Sequence, residues 1–229
     1  FPLQVPDAVR NEAQLMDYLK AWKPEHAAGT YRTYANPSIG MLGVAAARSM
    51  KQPFAQAMEK ELFPKLGLSS TFIEVPAARM PQYAQGYNKQ GAPVRVNPGV
   101  LAAEAYGVKS SARDMLRFVE ANMGIGVQDE KLKRAIADTH VGYYQVGEMT
   151  QDLVWEQFPY PVTLDTLLAG NAGTLNSQGH AASALNPPLA PQDATWINKT
   201  GSTNGFGGYV AFVPGKKVGI VILANRNYP

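Results

Sequence analysis

The 229-residue sequence has no cysteine. That excludes a disulfide framework, a thiol nucleophile and a thiolate metal site. It has only 3 histidines, and His26, His140 and His180 lack the i, i+4 spacing and acidic company of a zinc site, so they read as surface or loop histidines. It has no long hydrophobic run: Val218 to Ala224, for instance, spans only 7 residues. A membrane-spanning helix needs about 20, so no span is expected. It has no dominant charge, because 21 Lys+Arg oppose 18 Asp+Glu for a net +3. So small an excess is a solvated surface rather than a nucleic-acid face. There is no internal repeat, no low-complexity tract, no Walker lysine loop, no dinucleotide fingerprint before a helix and no G-x-S-x-G elbow. The glycines from Gly201 to Gly208 lead from one strand into another, without the helix N-terminus that a phosphate loop requires.

What is present is an ordinary globular composition, 45% hydrophobic and 17% charged. The first half reads as helical. Asn11 to Trp22 places Leu15, Leu19 and Trp22 on one face, and Asn11 is in N-cap position. Pro37 to Met50 starts with Asn36 as N-cap and Pro37 at the first helical position. Pro53 to Leu66 sets Phe54, Met58 and Leu62 four apart and stops at Gly67. Ser111 to Met123 opens on an imperfect capping box with Asp114. Strands follow: Tyr143 to Val146, Gln151 to Phe158, Thr195 to Thr200, Gly208 to Val213 and Val218 to Ala224, the last two forming a hairpin across Pro214 to Lys217. Residues 70–107 and 170–194 read as long irregular stretches, the length of functional walls. Helices followed by an antiparallel meander predict one α+β domain over residues 1–229, with helices stacked on a sheet.

Two short motifs carry chemistry. Lys199-Thr200-Gly201 ends a strand and is followed by glycines. It offers a positive charge, a hydroxyl and an unobstructed backbone edge, which suit a substrate carboxylate and amide. Tyr34-Ala35-Asn36-Pro37 places a Tyr just before a helix start, where nearby ammonium groups would favour its phenolate. Asn36 adds an amide for a substrate carbonyl or a neighbouring Lys. Taken singly, either motif equally suits a core Tyr, a capping Asn or a chance tripeptide.

In this order the two motifs resemble the penicillin-recognising serine enzymes, and specifically the class C β-lactamases. So do Pro2-Leu3-Gln4-Val5-Pro6, Leu62-Phe63-Pro64-Lys65-Leu66-Gly67-Leu68, Glu104-Ala105-Tyr106-Gly107-Val108-Lys109 and Gly208-Tyr209-Val210-Ala211-Phe212-Val213-Pro214. The ending Leu223 to Pro229 reads the same way. The resemblance implies a β-lactamase/transpeptidase-like fold and cleavage of a β-lactam through an acyl-enzyme. It implies no metal or organic cofactor, and a monomer in the periplasm of a Gram-negative cell. It assigns Tyr34 as the proton acceptor and Lys199 as its electrostatic partner and carboxylate attractor. Ser202 would give an oxyanion N–H beside Thr200 and Gly201, Gln4 and Asn36 would bind the substrate amide, and Tyr106 would form a wall. Asp152-Leu153-Val154-Trp155 departs from the family, which has a glycine-containing turn before the Trp.

The family's nucleophile is the Ser of S-x-x-K, and none of the 9 serines here has Lys three residues on. The expectation is therefore that both ends are trimmed, with the serine segment in a longer chain or in a second polypeptide. Tyr34 and Lys199 should then meet within one or two hydrogen bonds, beside either that polypeptide or an open cavity, and nearby helices should expose apolar faces. A D-alanyl-D-alanine carboxypeptidase or related serine esterase, and a non-catalytic fragment, stand as alternatives.

Overall fold

The computed structural model describes residues 1–226. Its centre is a seven-stranded sheet, antiparallel throughout. The strands are β1 (Gly142–Val146), β2 (Met149–Gln151), β3 (Glu156–Pro159), β4 (Ser183–Leu189), β5 (Thr195–Thr203), β6 (Phe206–Val213) and β7 (Val218–Ala224). Their spatial order is β7-β6-β5-β3-β2-β1-β4. Mixed helix and antiparallel sheet is the expected α+β class, but several boundaries differ.

The expected strand Gln151 to Phe158 is two strands. Asp152 N–H donates to Trp155 O at 3.0 Å and closes a hairpin between β2 and β3. β4 lies in the stretch expected to be irregular, because Pro187 and Pro188 argue against a strand; they are accommodated at the sheet's edge, where the register with β1 shifts between Tyr144↔Ala184 and Gly142↔Leu189. The other long stretch, 70–107, contains the short helix Ala102–Tyr106 and a two-stranded ribbon, Gly86–Tyr87 with Pro93–Val94. Between Pro53 and Leu66 the chain is helical, but it widens to a π-turn over Ala57–Leu62, where Phe63 N–H reaches Met58 O. Pro64 explains this: its ring cannot sit against the carbonyl four residues back in a tight α-turn. Among the described residues, the helices that escaped sequence reading include Glu130–Asp138, capped by Asp129, and Leu164–Gly170, capped by Thr163.

The helix Ala112–Asn122 lies on the sheet, with Val119 and Met123 packed against Ile197, Val210, Phe212 and Trp155. Its start is held by Ser111 Oγ, which accepts from Asp114 N–H at 3.2 Å. Trp155 meets Phe212 edge to face, ring centres 5.2 Å apart. Buried His140 packs against both rings, and its Nε2 lies 3.0 Å from Asn122 Oδ1. Burial holds its imidazole well below the usual range, at about 4. A second cluster, Phe63, Leu68 and Ile73, joins the helical region to this one through Phe118.

The helix Asn36–Ser49 is placed by small residues. A Cβ at Gly40 would fall 2.8 Å from the Leu101 Cβ, and one at Gly43 2.7 Å from the Glu104 Cβ. These glycines let the Ala102–Tyr106 helix seat closely and bring Tyr106 to the same opening as the helix's own N-terminus.

Candidate active site

That opening is a cleft of about 1390 Å3 between the sheet and the helical region. Gln4, Tyr34, Asn36, Tyr106, Lys199, Thr200, Gly201 and Ser202 all line it. Residues distant in sequence are thus brought to one space, and each has a local reason to be there.

Tyr34 sits between the two-residue strand Tyr31–Arg32, which pairs with His180–Ala181, and the Asn36–Ser49 helix. Here the expected cap is corrected. Ala35 is the N-cap, and no side chain caps the helix. Asn36 is already helical, with Pro37 immediately inside the start, so its amide is left for the cleft rather than spent on the helix. Asn36 N–H donates to Leu3 O at 2.9 Å, which brings exposed Gln4 alongside.

β5 supplies the opposite wall. Its pairing with β6 runs from Ile197↔Phe212 through Lys199↔Val210 and Gly201↔Gly208 to Thr203↔Phe206. Its pairing with β3 ends at Asn198↔Glu156. From Lys199 onward β5 therefore has no β3 partner, and this edge borders the cleft. A Cβ at Gly201 would meet nothing within 4 Å, so the protein itself does not require glycine there.

Lys199 and Tyr34 come together, with Lys199 Nζ 4.8 Å from the centre of the Tyr34 ring. They meet as cation against aromatic face rather than through a hydrogen bond. A second cation stands at the same ring: Arg32 Cζ is 5.6 Å from its centre. Between the cations lies Glu156, whose Oε1 accepts from Arg32 Nη2 at 2.7 Å and stands 3.5 Å from Lys199 Nζ. The Glu156 side chain is 6% exposed and that of Arg32 11%. Arg32 also donates from Nε to Gln151 Oε1 (2.7 Å) and from Nη1 to Leu175 O (2.9 Å). A buried carboxylate is tolerated only when paired and hydrogen-bonded, and this network satisfies that need.

Asn198 fixes the strand under Lys199. It is fully buried; its Nδ2 donates to Glu156 O at 2.8 Å, and its Oδ1 accepts from Tyr209 Oη and Asn171 Nδ2. Burial raises the Tyr209 phenol above its ordinary range, with Glu156 adding to the effect. Arg32, Gln151, Glu156 and Asn198 were not picked out from sequence. The available signals were a charge between the large aromatic residues Trp155 and Phe158 and an Arg two residues before the Tyr.

The divergent turn forms another part of the wall. Leu153 and Val154 are exposed and line the cleft, whereas Asp152 beneath them is 3% exposed. Burial pushes the Asp152 carboxyl up to about 8, partly offset by the nearby Gln157 amide, although no hydrogen bond forms between them. Asp152 is therefore largely protonated at neutral pH. Among the described residues no group of three His, Asp or Glu could hold a metal ion, and no helix is long and apolar enough to cross a membrane.

The fold and this cleft together define the β-lactamase/transpeptidase-like class. The chain belongs to the β-lactamase family, whose model matches residues 1–229. It is 55% identical over 229 residues to a β-lactamase from Lysobacter lactamgenus, a match covering all of this chain and 60% of that protein. A β-lactamase/D-alanine carboxypeptidase from Pseudomonas syringae superposes with TM-score 0.97 at 64% identity, over 100% of this chain and 64% of that one. A class C β-lactamase solved with cefoxitin gives TM-score 0.96 at 52% identity, again over 100% and 64%. The chain thus spans about 60% of the length of the curated relatives it matches.

Proposed function

We propose that these 229 residues are the larger part of the catalytic domain of a class C serine β-lactamase, opening cephalosporin and penicillin rings through an acyl-enzyme. The observation that carries the reading is the meeting of Tyr34 and Lys199 across the cleft, beside the strand edge that β3 leaves unpaired. In the proposed sequence a serine from an S-x-x-K segment outside these residues attacks the lactam carbonyl carbon. Tyr34 takes its proton, the carbonyl oxygen becomes an oxyanion at the Ser202 N–H, and the C–N bond breaks as the ring nitrogen gains a proton. Water, activated through Tyr34, then cleaves the ester and frees the serine. Lys199 holds positive charge against Tyr34 and draws in the substrate carboxylate. Thr200 and Gly201 border the docked ring, Gln4 and Asn36 bind the side-chain amide, and Tyr106 walls that pocket. The reading requires no cofactor, and it places a monomer in the periplasm.

The test is turnover of a chromogenic cephalosporin by the full-length protein, with intact-mass measurement during the reaction. Hydrolysis with a transient covalent adduct is expected, and Tyr34→Phe should slow it by about 10²–10⁴. No hydrolysis and no adduct would overturn the proposal. A second reading, D-alanine carboxypeptidase, is favoured by the name of the Pseudomonas syringae relative. Release of D-alanine from a D-alanyl-D-alanine peptide faster than cephalosporin turnover would establish it instead.

A further inference from the structure

We propose that Arg32 and Glu156 are a pair of positioning residues that set the charge felt by Tyr34, with opposite signs. This rests on the reading of Tyr34 as proton acceptor. Three charged side chains converge on one aromatic ring. Lys199 Nζ and Arg32 Cζ stand 4.8 Å and 5.6 Å from the Tyr34 centre. Glu156 Oε1 touches both cations, at 3.5 Å and 2.7 Å. Behind Glu156 lies the Tyr209 phenol, which feels that carboxylate. Two positive charges and one negative leave a net +1 at the ring.

The geometry divides the labour unequally. Arg32 holds Glu156 in the shorter contact, and two further hydrogen bonds fix it, to Gln151 and to the Leu175 carbonyl. Lys199 has the looser contact with Glu156, together with a 3.3 Å bond to Thr200 O. The guanidinium therefore takes up most of the carboxylate's charge and spares the ammonium for Tyr34. Without Arg32, Glu156 would pair with Lys199 alone and cancel it. Without Glu156, both cations would act on the ring unopposed. Positive charge favours a phenolate and negative charge disfavours it, so the two deletions must move Tyr34 in opposite directions. A purely structural salt bridge makes a different demand, since breaking it from either side loosens the same contact.

The experiment is the pH profile of kcat/KM for the full-length enzyme with a cephalosporin, for wild type and four variants. Tyr34→Phe should abolish the acidic limb. Glu156→Gln, which keeps the shape and one acceptor oxygen, should move that limb down by about one pH unit, and Arg32→Met should move it up by a similar amount. The double variant should return to within about 0.3 units of wild type. Should Arg32→Met fail to fold, the isosteric Glu156→Gln still decides the sign. The ζ-carbon chemical shift of labelled Tyr34 gives the same pKa without turnover. An acidic limb that persists in Tyr34→Phe overturns the proton-acceptor reading, and this inference with it. A limb lost in Tyr34→Phe that is unmoved by Glu156→Gln, or moved upward, overturns this inference alone.

Discussion

The two halves of β5 do different work. At Ile197 and Asn198 the strand is paired on both edges, and Thr195, Ile197 and Asn198 are each under 5% exposed. From Lys199 to Thr203 it keeps β6 on one side and gives the other to the cleft. The change falls between adjacent residues, because β3 begins only at Glu156, opposite Asn198. Stability is therefore concentrated in the first half, and the groups available for chemistry lie in the second. The lesson is that an open strand edge beside the cleft is made here by a neighbouring strand that stops short.

Exchanging side chains across that boundary tests the division. The largest effect should come from the sealed half. Ile197, 1% exposed amid Val119, Val210 and Phe212, leaves a cavity when cut to Ala. Ile197→Ala should cost about 2–5 kcal/mol in denaturant unfolding while leaving kcat per folded molecule nearly unchanged. Equal loss of activity and stability would show that the halves are coupled.

A second test concerns the core behind the sealed half. His140 titrates at about 4 when folded and near 6.5 when unfolded. The unfolded chain therefore binds a proton that the native one refuses as pH falls from about 6.5 toward 4, and stability is lost over that window. Unfolding at pH 7 and pH 4.5 should differ by about 2–3 kcal/mol from this group, a difference that His140→Phe should largely remove. Asp152 acts with the opposite slope. Its carboxyl, raised to about 8, is protonated in the native state across a window where the unfolded one is ionised. Stability should accordingly fall as pH rises from about 4 to 8, and Asp152→Asn should flatten that decline.

On the open half, Lys199→Ala should leave thermal stability close to wild type. It should lower kcat/KM for a carboxylate-bearing β-lactam about ten- to a hundred-fold. For a neutral ester analogue the loss should be smaller, because that substrate lacks the charge that Lys199 is proposed to attract. The smallest effect on folding is expected at Gly201. An added side chain there meets only open space, so Gly201→Val should unfold like wild type yet weaken substrate binding. A lowered melting temperature would contradict the openness of this edge.

Much of this was legible in the sequence, for definite reasons. The final hairpin and the Ser111-capped helix announce themselves by alternation, capping and turn residues. The convergence of Tyr34 and Lys199 came from the resemblance, since no local pattern reveals a contact between such distant residues. β4 was hidden by its prolines, and the β2–β3 hairpin by a turn without glycine in Asp152-Leu153-Val154-Trp155. The cap of the Asn36–Ser49 helix was misassigned because Asn36 suits a capping role that Ala35 fills with its backbone alone. The Arg32–Glu156 network was illegible for a simpler reason: a buried ion pair exists only once β3 and the Tyr31–Arg32 strand have been brought together.

The central claim is that Tyr34, facing Lys199 at the open half of β5, serves acylation. Rapid-quench intact-mass spectrometry of the full-length enzyme with a slowly hydrolysed β-lactam tests it most directly. A mass gain of one whole β-lactam is expected, forming at least about a hundred-fold more slowly in Tyr34→Phe and at the wild-type rate in the conservative core variant Ile197→Val. Adduct formation at the same rate in Tyr34→Phe and wild type would contradict the account.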